Sequence, residues 1–539
     1  MAESPVLIVG GGPVGLSLAL GLARHGVRST LFEAKSELDP HSRALGILPR
    51  TLEIFRAWGI YERFVSEGTL LSKVDFWMVD RDKAILQLDF SVFARLSAVP
   101  GVLVLPQNRT EALLLEAVRA AGMTEILLGY QASTFKQDQD GVSVEVTGPA
   151  GGAATYRGQY LIGCDGAHSA IRRSLGWELE GKTYPARVLL ADIRLRDERD
   201  RLPWPRFAPA QGQVLAAARY EAEHWRIIST LKKNEDKDAA WENSAIDRRV
   251  NQLFGAGSYE HLWSNIFQIH CRTSPHFRRE RVLLAGDACH LNSPAGGQGM
   301  NSGIQDAHNL AWKLARVLSG ADAQSLLTSY EAERREAVIN NVDRYTDFLT
   351  RFGLLAPEFL KKAIGALVRT SAKIGLISRF APKIGMLDTA YGHSPLVSGK
   401  GAWIGRRAPD GDLIAPNGSV VRLLDLASPQ PVLLLFEDGR LPNWDVAGVA
   451  RLFAKIRDLK ILLLLSNEVS GRPDAYRDGS TNGSLWSTWK VTGGGVALIR
   501  PDGHVGWMAR RPFPDELEIG VQKALGFQSE QGLTDGIIA

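Results

Sequence analysis

Apolar residues recur along this chain in two rhythms, and the changes of rhythm mark its units. Unbroken apolar runs, PVLIVG at 5–10, YLIG at 160–163 and VLLAG at 282–286, predict short buried strands, the first of them in a parallel sheet. After the first run, LSLALGLAR at 16–24 predicts an apolar helix that stops at Gly26, and VRSTLFEA at 27–34 predicts a second strand. After the third run, NSGIQDAHNLAWKLARVL at 301–318 sets Ile304, Ala307, Ala311, Leu314 and Leu318 on one helical stripe. Between 179 and 280 the pattern turns to β: RVLLADIRL, QVLAAARY, HWRIISTL and WSNIFQIHCRTS predict an inserted sheet. Residues 330–385 are helix-like and end in the basic, amphipathic stretch FLKKAIGALVRTSAKIGLISRFAPKIG. Its apolar side is expected to pack on the body with the lysines solvated, in preference to lying on an anionic membrane. From about 396 a further unit begins, with strands PVLLLFED and LKILLLLS and a hairpin signal where Asp502-Gly503 sits between apolar runs.

Two glycine-rich loops interrupt these elements. In the first, Gly10, Gly12 and Gly15 have G-x-G-x-x-G spacing, with Pro13 near helix position N1 and Val14 beside it. Gly10 would make the tight turn, Gly12 would let the backbone approach a pyrophosphate, and Gly15 would let helix and strand pack closely. Phosphates fit a helix N-terminus because its N–H groups are unpaired and its dipole is positive there. Glu33, at the end of the second strand, would accept a hydrogen bond from a ribose 2′-OH and repel a 2′-phosphate. A dinucleotide with a free adenosine 2′-OH, NAD or FAD, satisfies this loop. In the second, GDACHLNSPAGGQGMN at 286–301, Asp287 ends a strand and Gly297, Gly299, Met300 and Asn301 lead into a helix. The carboxylate suits ribityl or ribose hydroxyls, and the helix dipole suits negative charge on a reduced flavin. One extended cofactor, FAD, would explain why the chain carries both loops.

Composition narrows the picture. The chain has 539 residues, 45% hydrophobic and 23% charged, with a net charge of +4 from 63 basic and 59 acidic residues. That length predicts several domains, and that charge gives no reason to expect a nucleic-acid partner. Cys164, Cys271 and Cys289 form no CxxC pair and no metal-ligand spacing, so neither disulfide nor metal is expected. The N-terminus lacks the basic start of a signal peptide, and no apolar run reaches the ~20 residues of a membrane span. A cytoplasmic protein without an integral membrane segment is the expectation.

The G-x-G-x-x-G at 10–15, GCDGAHSAIRR at 163–173 and GDACHLNSPAGGQGMN at 286–301, in this order, resemble the single-component FAD-dependent aromatic monooxygenases. This is the group of p-hydroxybenzoate hydroxylase, phenol hydroxylase and the polyketide-tailoring aromatic hydroxylases. The resemblance implies an α/β fold: a Rossmann-like FAD-binding domain at 1–178 and 281–395, a substrate-binding β-sheet domain at 179–280, and a thioredoxin-like C-terminal domain at 396–539. That last unit has no redox cysteines, so its role would be structural, in covering the active site or in contact within a homodimer. The resemblance places Arg43 of HSRALGILPRTLEIF beside the flavin or its pyrophosphate, and Gln107 of PQNRTEALLLEAV, which also carries Arg109, on FAD. It assigns Asp165 and Gly166 to the FAD neighbourhood and Arg172 to ordering their loop; bonding of Asp165 to local backbone N–H groups is equally open. Pro294 aligns with a proline whose carbonyl lies at the active site, the one catalytic assignment. Tyr184, Tyr220, His224, Trp225 and His270 are candidate pocket-lining residues, and no phenol-activating base is identified. The implied activity is hydroxylation of a phenolic or polycyclic aromatic with NADPH or NADH and O2, through a C4a-hydroperoxyflavin. Baeyer–Villiger insertion or epoxidation on the same scaffold, and a non-catalytic FAD-stabilised binding protein, are the alternatives. If the C-terminal unit is a separate domain, truncation near 395 is expected to leave FAD binding largely intact.

Overall fold

A computed structural model of the chain describes residues 4–527 apart from 43, 81–82, 211–212, 232–234, 295, 355–380, 428, 441–442, 457, 467–471, 480–484 and 492. The first apolar run is β1 (Val6–Val9), buried throughout, followed by α1 (Pro13–Arg24) and β2 (Ser29–Glu33). Next come α2 (Gln107–Ala121), β3 (Thr124–Leu128) and β4 (Tyr160–Gly163). Much later the chain adds β5 (Val282–Leu284), α3 (Gly299–Leu318) and α4 (Ala323–Ala337). The strands lie in the order β5-β4-β1-β2-β3, every neighbour parallel. Unbroken apolar sequence is what a parallel sheet covered on both faces demands. From β1 the chain runs outward first to β2 and β3, then on the other side to β4 and β5, which makes the β1/β4 boundary a switch point. Open α/β sheets bind ligands at the carboxyl ends of strands flanking such a point. Helices α1 and α3 pack so tightly that a Cβ on Gly21 would sit 2.9 Å from the Ala311 methyl carbon.

The expected inserted sheet is present, antiparallel where residues 180–194, 224–230, 215–221 and 260–273 pair. It also recruits the hairpin Lys73–Met78/Lys83–Asp89 from the first sequence segment, through a parallel pairing with Arg206–Phe207. Alternate residues of each strand face opposite ways. Leu189, Ala191, Ile193, Trp225 and Ile227 pack on Ile246, Val250 and Leu253 of helix Asn243–Phe254. Val188, Leu190, Ile228, Phe267 and Ile269 form the other face, with Tyr184.

In the C-terminal unit, Val432–Glu437 pairs parallel with Lys460–Leu465 and antiparallel with Gly495–Ile499. The hairpin expected around Asp502-Gly503 joins Gly495–Ile499 to Val505–Ala509, and Gly503 takes the left-handed conformation (φ +76°) that its turn requires. The unit is not loosely appended. Arg500 donates to both oxygens of Glu333 (2.6 and 2.9 Å), and Lys313 Nζ reaches the same carboxylate at 2.7 Å. Arg407 and Arg50 both pair with Glu53, and Arg50 Nη2 donates to the Asp502 carbonyl at 2.6 Å. All these side chains are buried. Breaking one member of a buried pair costs about 3–5 kcal/mol because the other charge is stranded. Truncation near 395 would strand several at once, so the expectation that it spares FAD binding is reversed. Among the described residues no helix is long and apolar enough to cross a membrane. Most of the basic stretch at 359–385 lies outside the described residues.

Candidate active site

The first loop has the backbone that its glycines imply. Gly10 has φ +107°, and a Cβ there would overlap the Cys164 carbonyl; a Cβ on Gly15 would overlap the Gly10 carbonyl. Gly12 differs: its φ is −73°, and a Cβ there would meet nothing within 4 Å. Pro13 opens α1. Glu33 reaches back to this turn, Oε2 accepting from Gly11 N at 2.6 Å and Oε1 from Lys35 N at 2.9 Å. A carboxylate has roughly four acceptor positions, so capacity for a ribose hydroxyl remains.

The second loop meets the first directly. A Cβ on Gly286 would sit 2.7 Å from Val14 Cγ2, and one on Gly303 would sit 2.5 Å from the same carbon and 3.2 Å from Gly286 Cα. The start of α1, the 286 turn and the start of α3 thus share one point of contact although they lie nearly three hundred residues apart. Asp287 projects from this turn and is exposed. Gly297 takes φ +65°, Gly299 begins α3, and space beside both is open. Met300 is half-buried against the core under the parallel sheet. The exposed Pro294 has its carbonyl accepting from Gly297 N at 3.1 Å, which leaves one lone pair.

Several assignments change at this level. The Asn301 side chain is fully engaged by main chain: Oδ1 accepts from Leu48 N (2.9 Å), and Nδ2 donates to Gly46 O (3.0 Å) and Gly297 O (2.8 Å). It staples the helix start, leaving its backbone N–H as its means of meeting a cofactor. Gln107 begins α2, where its Oε1 accepts from Ala44 N (3.2 Å) and its Nε2 donates to Glu111 (2.8 Å), tying down the loop that carries Arg43. Arg43 itself lies outside the described residues. Arg109 pairs with Glu67. Asp165 Oδ2 accepts from Ala170 N (2.7 Å) and Ile171 N (3.2 Å), the local bonding left open above. Its Oδ1 is buried with no hydrogen-bond partner among the described residues. An unpaired buried acceptor costs about 1–3 kcal/mol, and a cofactor hydroxyl would relieve it. Gly166 (φ +76°) is open beside it. Arg172 does order this loop, donating to Ala167 O (3.0 Å) and across to Ala288 O (2.9 Å) of the second loop. Cys164 and Cys289 are buried, which pushes both thiols well up and leaves them small fillers.

Residues that sequence reasoning missed bring the inserted sheet onto these loops. Arg226 makes a buried two-pronged pair with Asp192 (2.8 and 2.7 Å) and donates to Ser42 O at 2.6 Å. The His41 ring stacks on Trp263 at 5.4 Å. Ser293 Oγ and Thr350 Oγ1 lie 2.6 Å apart, and the Tyr184 hydroxyl donates to Asp347, so the segment at 344–350 contacts both the loop and Tyr184 of the apolar sheet face. Of the pocket candidates, Tyr184 is on that face and Tyr220 lies beneath the Arg226 guanidinium (5.7 Å). Trp225 faces the helix on the opposite side and donates to Asp200 at 3.0 Å, so it does not line the pocket. His224 lies with Arg194 (3.1 Å) and His270 with Thr183 (3.0 Å). Burial and the Asp192 charge push the Tyr220 hydroxyl up, which keeps it protonated and makes it a poor base; burial and Arg272 push His270 down.

The geometry of the first loop fits a dinucleotide, and comparison with known proteins shows an FAD-binding family. Residues 3–345 match the family described as FAD binding domain, and residues 401–526 match the aromatic-ring hydroxylase C-terminal family. A 12-dehydrotetracycline 5-monooxygenase/anhydrotetracycline 6-monooxygenase of Streptomyces rimosus is 31% identical over 94% of this chain and 95% of its own. The pentachlorophenol 4-monooxygenase of Sphingobium chlorophenolicum is 28% identical over 94% of this chain and 93% of its own. Among solved structures, the flavin-dependent monooxygenase PieE in complex with FAD and substrate superposes with a TM-score of 0.79 at 25% identity, covering 97% of this chain and 99% of that one. The chain belongs to the FAD-dependent aromatic-ring hydroxylases, monooxygenases that use NAD(P)H and O2.

Proposed function

We propose that this hydroxylase acts on a phenol carried by a fused-ring or heavily substituted aromatic framework, with one FAD spanning the two glycine loops. Gly10, Gly12, Pro13, Val14, Gly15 and Glu33 would hold the pyrophosphate and adenosine ribose. Asp165, Gly166 and Asp287 would meet hydroxyls of the linking chain, and main-chain groups at Gly297, Gly299, Met300 and Asn301 would face the flavin edge, with Arg43 and Gln107 at the same cofactor. The observation that carries this reading is the packing of Val14 against Gly286 and Gly303, with open space at Gly12, Gly297 and Gly299. When bound, FAD accepts hydride from NAD(P)H and activates O2 for transfer of one oxygen atom.

The chain's own residues orient the substrate and exclude water. Val188, Leu190, Ile228, Phe267 and Ile269 form an apolar sheet face against which an aromatic framework would pack. The segment at 344–350 would close it off from solvent, which protects the reacting oxygen from unproductive decay. The Pro294 carbonyl keeps one lone pair for a substrate hydroxyl, and the Tyr184 oxygen can accept from a phenol while donating to Asp347. The relatives named for tetracycline intermediates and pentachlorophenol support this substrate class. The pairing of Val432–Glu437 with a parallel strand on one side and an antiparallel hairpin on the other supports a thioredoxin-like C-terminal unit. It holds no cysteine, so its part is structural. Cys164, Cys271 and Cys289 form no disulfide, which together with the need for NAD(P)H suits the cytoplasm. The test is a screen of simple and fused-ring phenols for stimulated NAD(P)H oxidation, with product mass showing one added oxygen atom. Turnover confined to simple monocyclic phenols would overturn the substrate class.

A further inference from the structure

Helix α3 is buried along almost its whole length, and Asn301, Asp306, Asn309 and Lys313 on it bond specific partners. Asp306 is fully buried near its start. One oxygen, Oδ2, accepts from the backbone N–H of Gly286 at 3.0 Å and lies 2.7 Å from His290 Nε2. The other accepts from Arg334 Nε at 2.7 Å. The same guanidinium donates to the Ser302 carbonyl at 3.2 Å and to the Tyr391 hydroxyl at 3.1 Å. One carboxylate therefore grips the turn that carries Asp287 and, through Arg334, the helix end that follows residues 297–301. Tyr391 is in turn held by the C-terminal part of the chain. Its N–H donates to Gly405 O at 2.7 Å, its ring lies 4.2 Å from His504, and the Arg500 guanidinium sits over it at 5.5 Å.

We propose that Asp306, Arg334 and Tyr391 form a positioning chain through which the C-terminal unit fixes the 286–301 loop at the flavin. The inference rests on the assignment of that loop to FAD. Buried ion pairs are weak contributors to net stability, and these make their bonds to main-chain groups of a loop rich in glycines. Gly286, Gly296 and Gly297 all have positive φ, so this loop has many backbone conformations to choose from without a tether. A catalytic group misplaced by about 1 Å loses on the order of 100-fold in rate. A rigid tether to the C-terminal unit would hold that geometry.

The test uses full-length holoenzyme. Tyr391→Phe removes one oxygen and keeps the ring; Asp306→Asn keeps the shape and removes the charge. Glu53→Gln is the control, a buried ionic residue at the same boundary that bonds Arg50 and Arg407 and is hydrogen-bonded to neither Asp306 nor Arg334. Readouts are FAD affinity, the visible absorption band of bound flavin, thermal stability, and the fraction of NAD(P)H oxidation that yields hydroxylated product. Tyr391→Phe is expected to weaken FAD about three-fold, to shift the flavin band, and to lower the coupled fraction at least two-fold; Asp306→Asn is expected to do more of each. Glu53→Gln is expected to lower stability while leaving flavin band and coupling unchanged. Wild-type flavin band and coupling in Tyr391→Phe, or equal changes in Glu53→Gln, would overturn the proposal. Asp287→Ala separates the two levels. If it weakens FAD while Tyr391→Phe does nothing, only the positioning chain fails; if it leaves FAD untouched, the loop assignment fails as well.

Discussion

Replacing Gly12 by valine isolates the ligand's need from the fold's. Gly12 caps α1 with φ −73° and ψ −175°, an extended backbone open to any residue, and a Cβ there meets no protein atom within 4 Å. The apo protein should lose no more than about 1 kcal/mol, the scale of changes at a helix cap. Bound pyrophosphate would need the space that the valine methyls fill. Displacing it from two main-chain N–H groups removes two charge-assisted hydrogen bonds of roughly 1.5–3 kcal/mol each. The sum, about 3–6 kcal/mol, corresponds to a loss of FAD affinity between roughly 150-fold and 20,000-fold. The assay pairs FAD titration by fluorescence quenching with thermal melting of the apo form. Gly15→Ala is the contrasting variant, because its Cβ would strike the Gly10 carbonyl and damage the fold itself. A yellow Gly12→Val protein with wild-type FAD affinity would refute the reasoning.

Asp287→Ala should weaken FAD by about 10- to 100-fold, the worth of one hydrogen bond to a charged group, with little change in Tm because the side chain is exposed; titration and melting check both. Truncation near residue 395 should give insoluble or markedly destabilised protein, since Glu333 loses Arg500 and Glu53 loses Arg407; a soluble, FAD-binding fragment would contradict the buried network. Burial and nearby arginines hold His308 down to about 3 and His25 to about 4, both below the ordinary histidine value of about 6.5. The unfolded chain then binds more protons at acid pH, so this stability is fully present above pH ~6.5 and is lost as pH falls through the folded values. Tm should decline from pH 7 to 5, and His308→Gln should flatten part of that decline; an unchanged slope would count against it.

What the sequence made legible depends on single residues or on local rhythm. Glycine at 10, 12 and 15 reports a backbone requirement directly, and apolar runs such as VLIV report burial on both faces. The turn at Asp502-Gly503 was equally readable. What stayed hidden depends on partners far apart in the chain. Asn301 finds Leu48 N across 253 residues, and Arg500 finds Glu333 across 167. Period-2 alternation shows that Trp225 and Arg226 face opposite ways but not which of the two faces the cofactor loops. Nothing local marks the hairpin at 73–89 as part of a sheet whose other strands begin a hundred residues later. The helical stripe on α3 was visible, yet Asp306, Asn309 and Lys313 between its apolar positions are buried too, because their hydrogen-bond and charge partners come from α4 and the C-terminal unit.

The account turns on one FAD touching both glycine loops. A crystal structure of the FAD-loaded protein tests this most directly. The account predicts pyrophosphate oxygens against the Gly12 main chain and the isoalloxazine edge against the helix start at 297–301. Density placing the flavin ring away from that helix start, with the 286–301 loop touching no part of the cofactor, would contradict it.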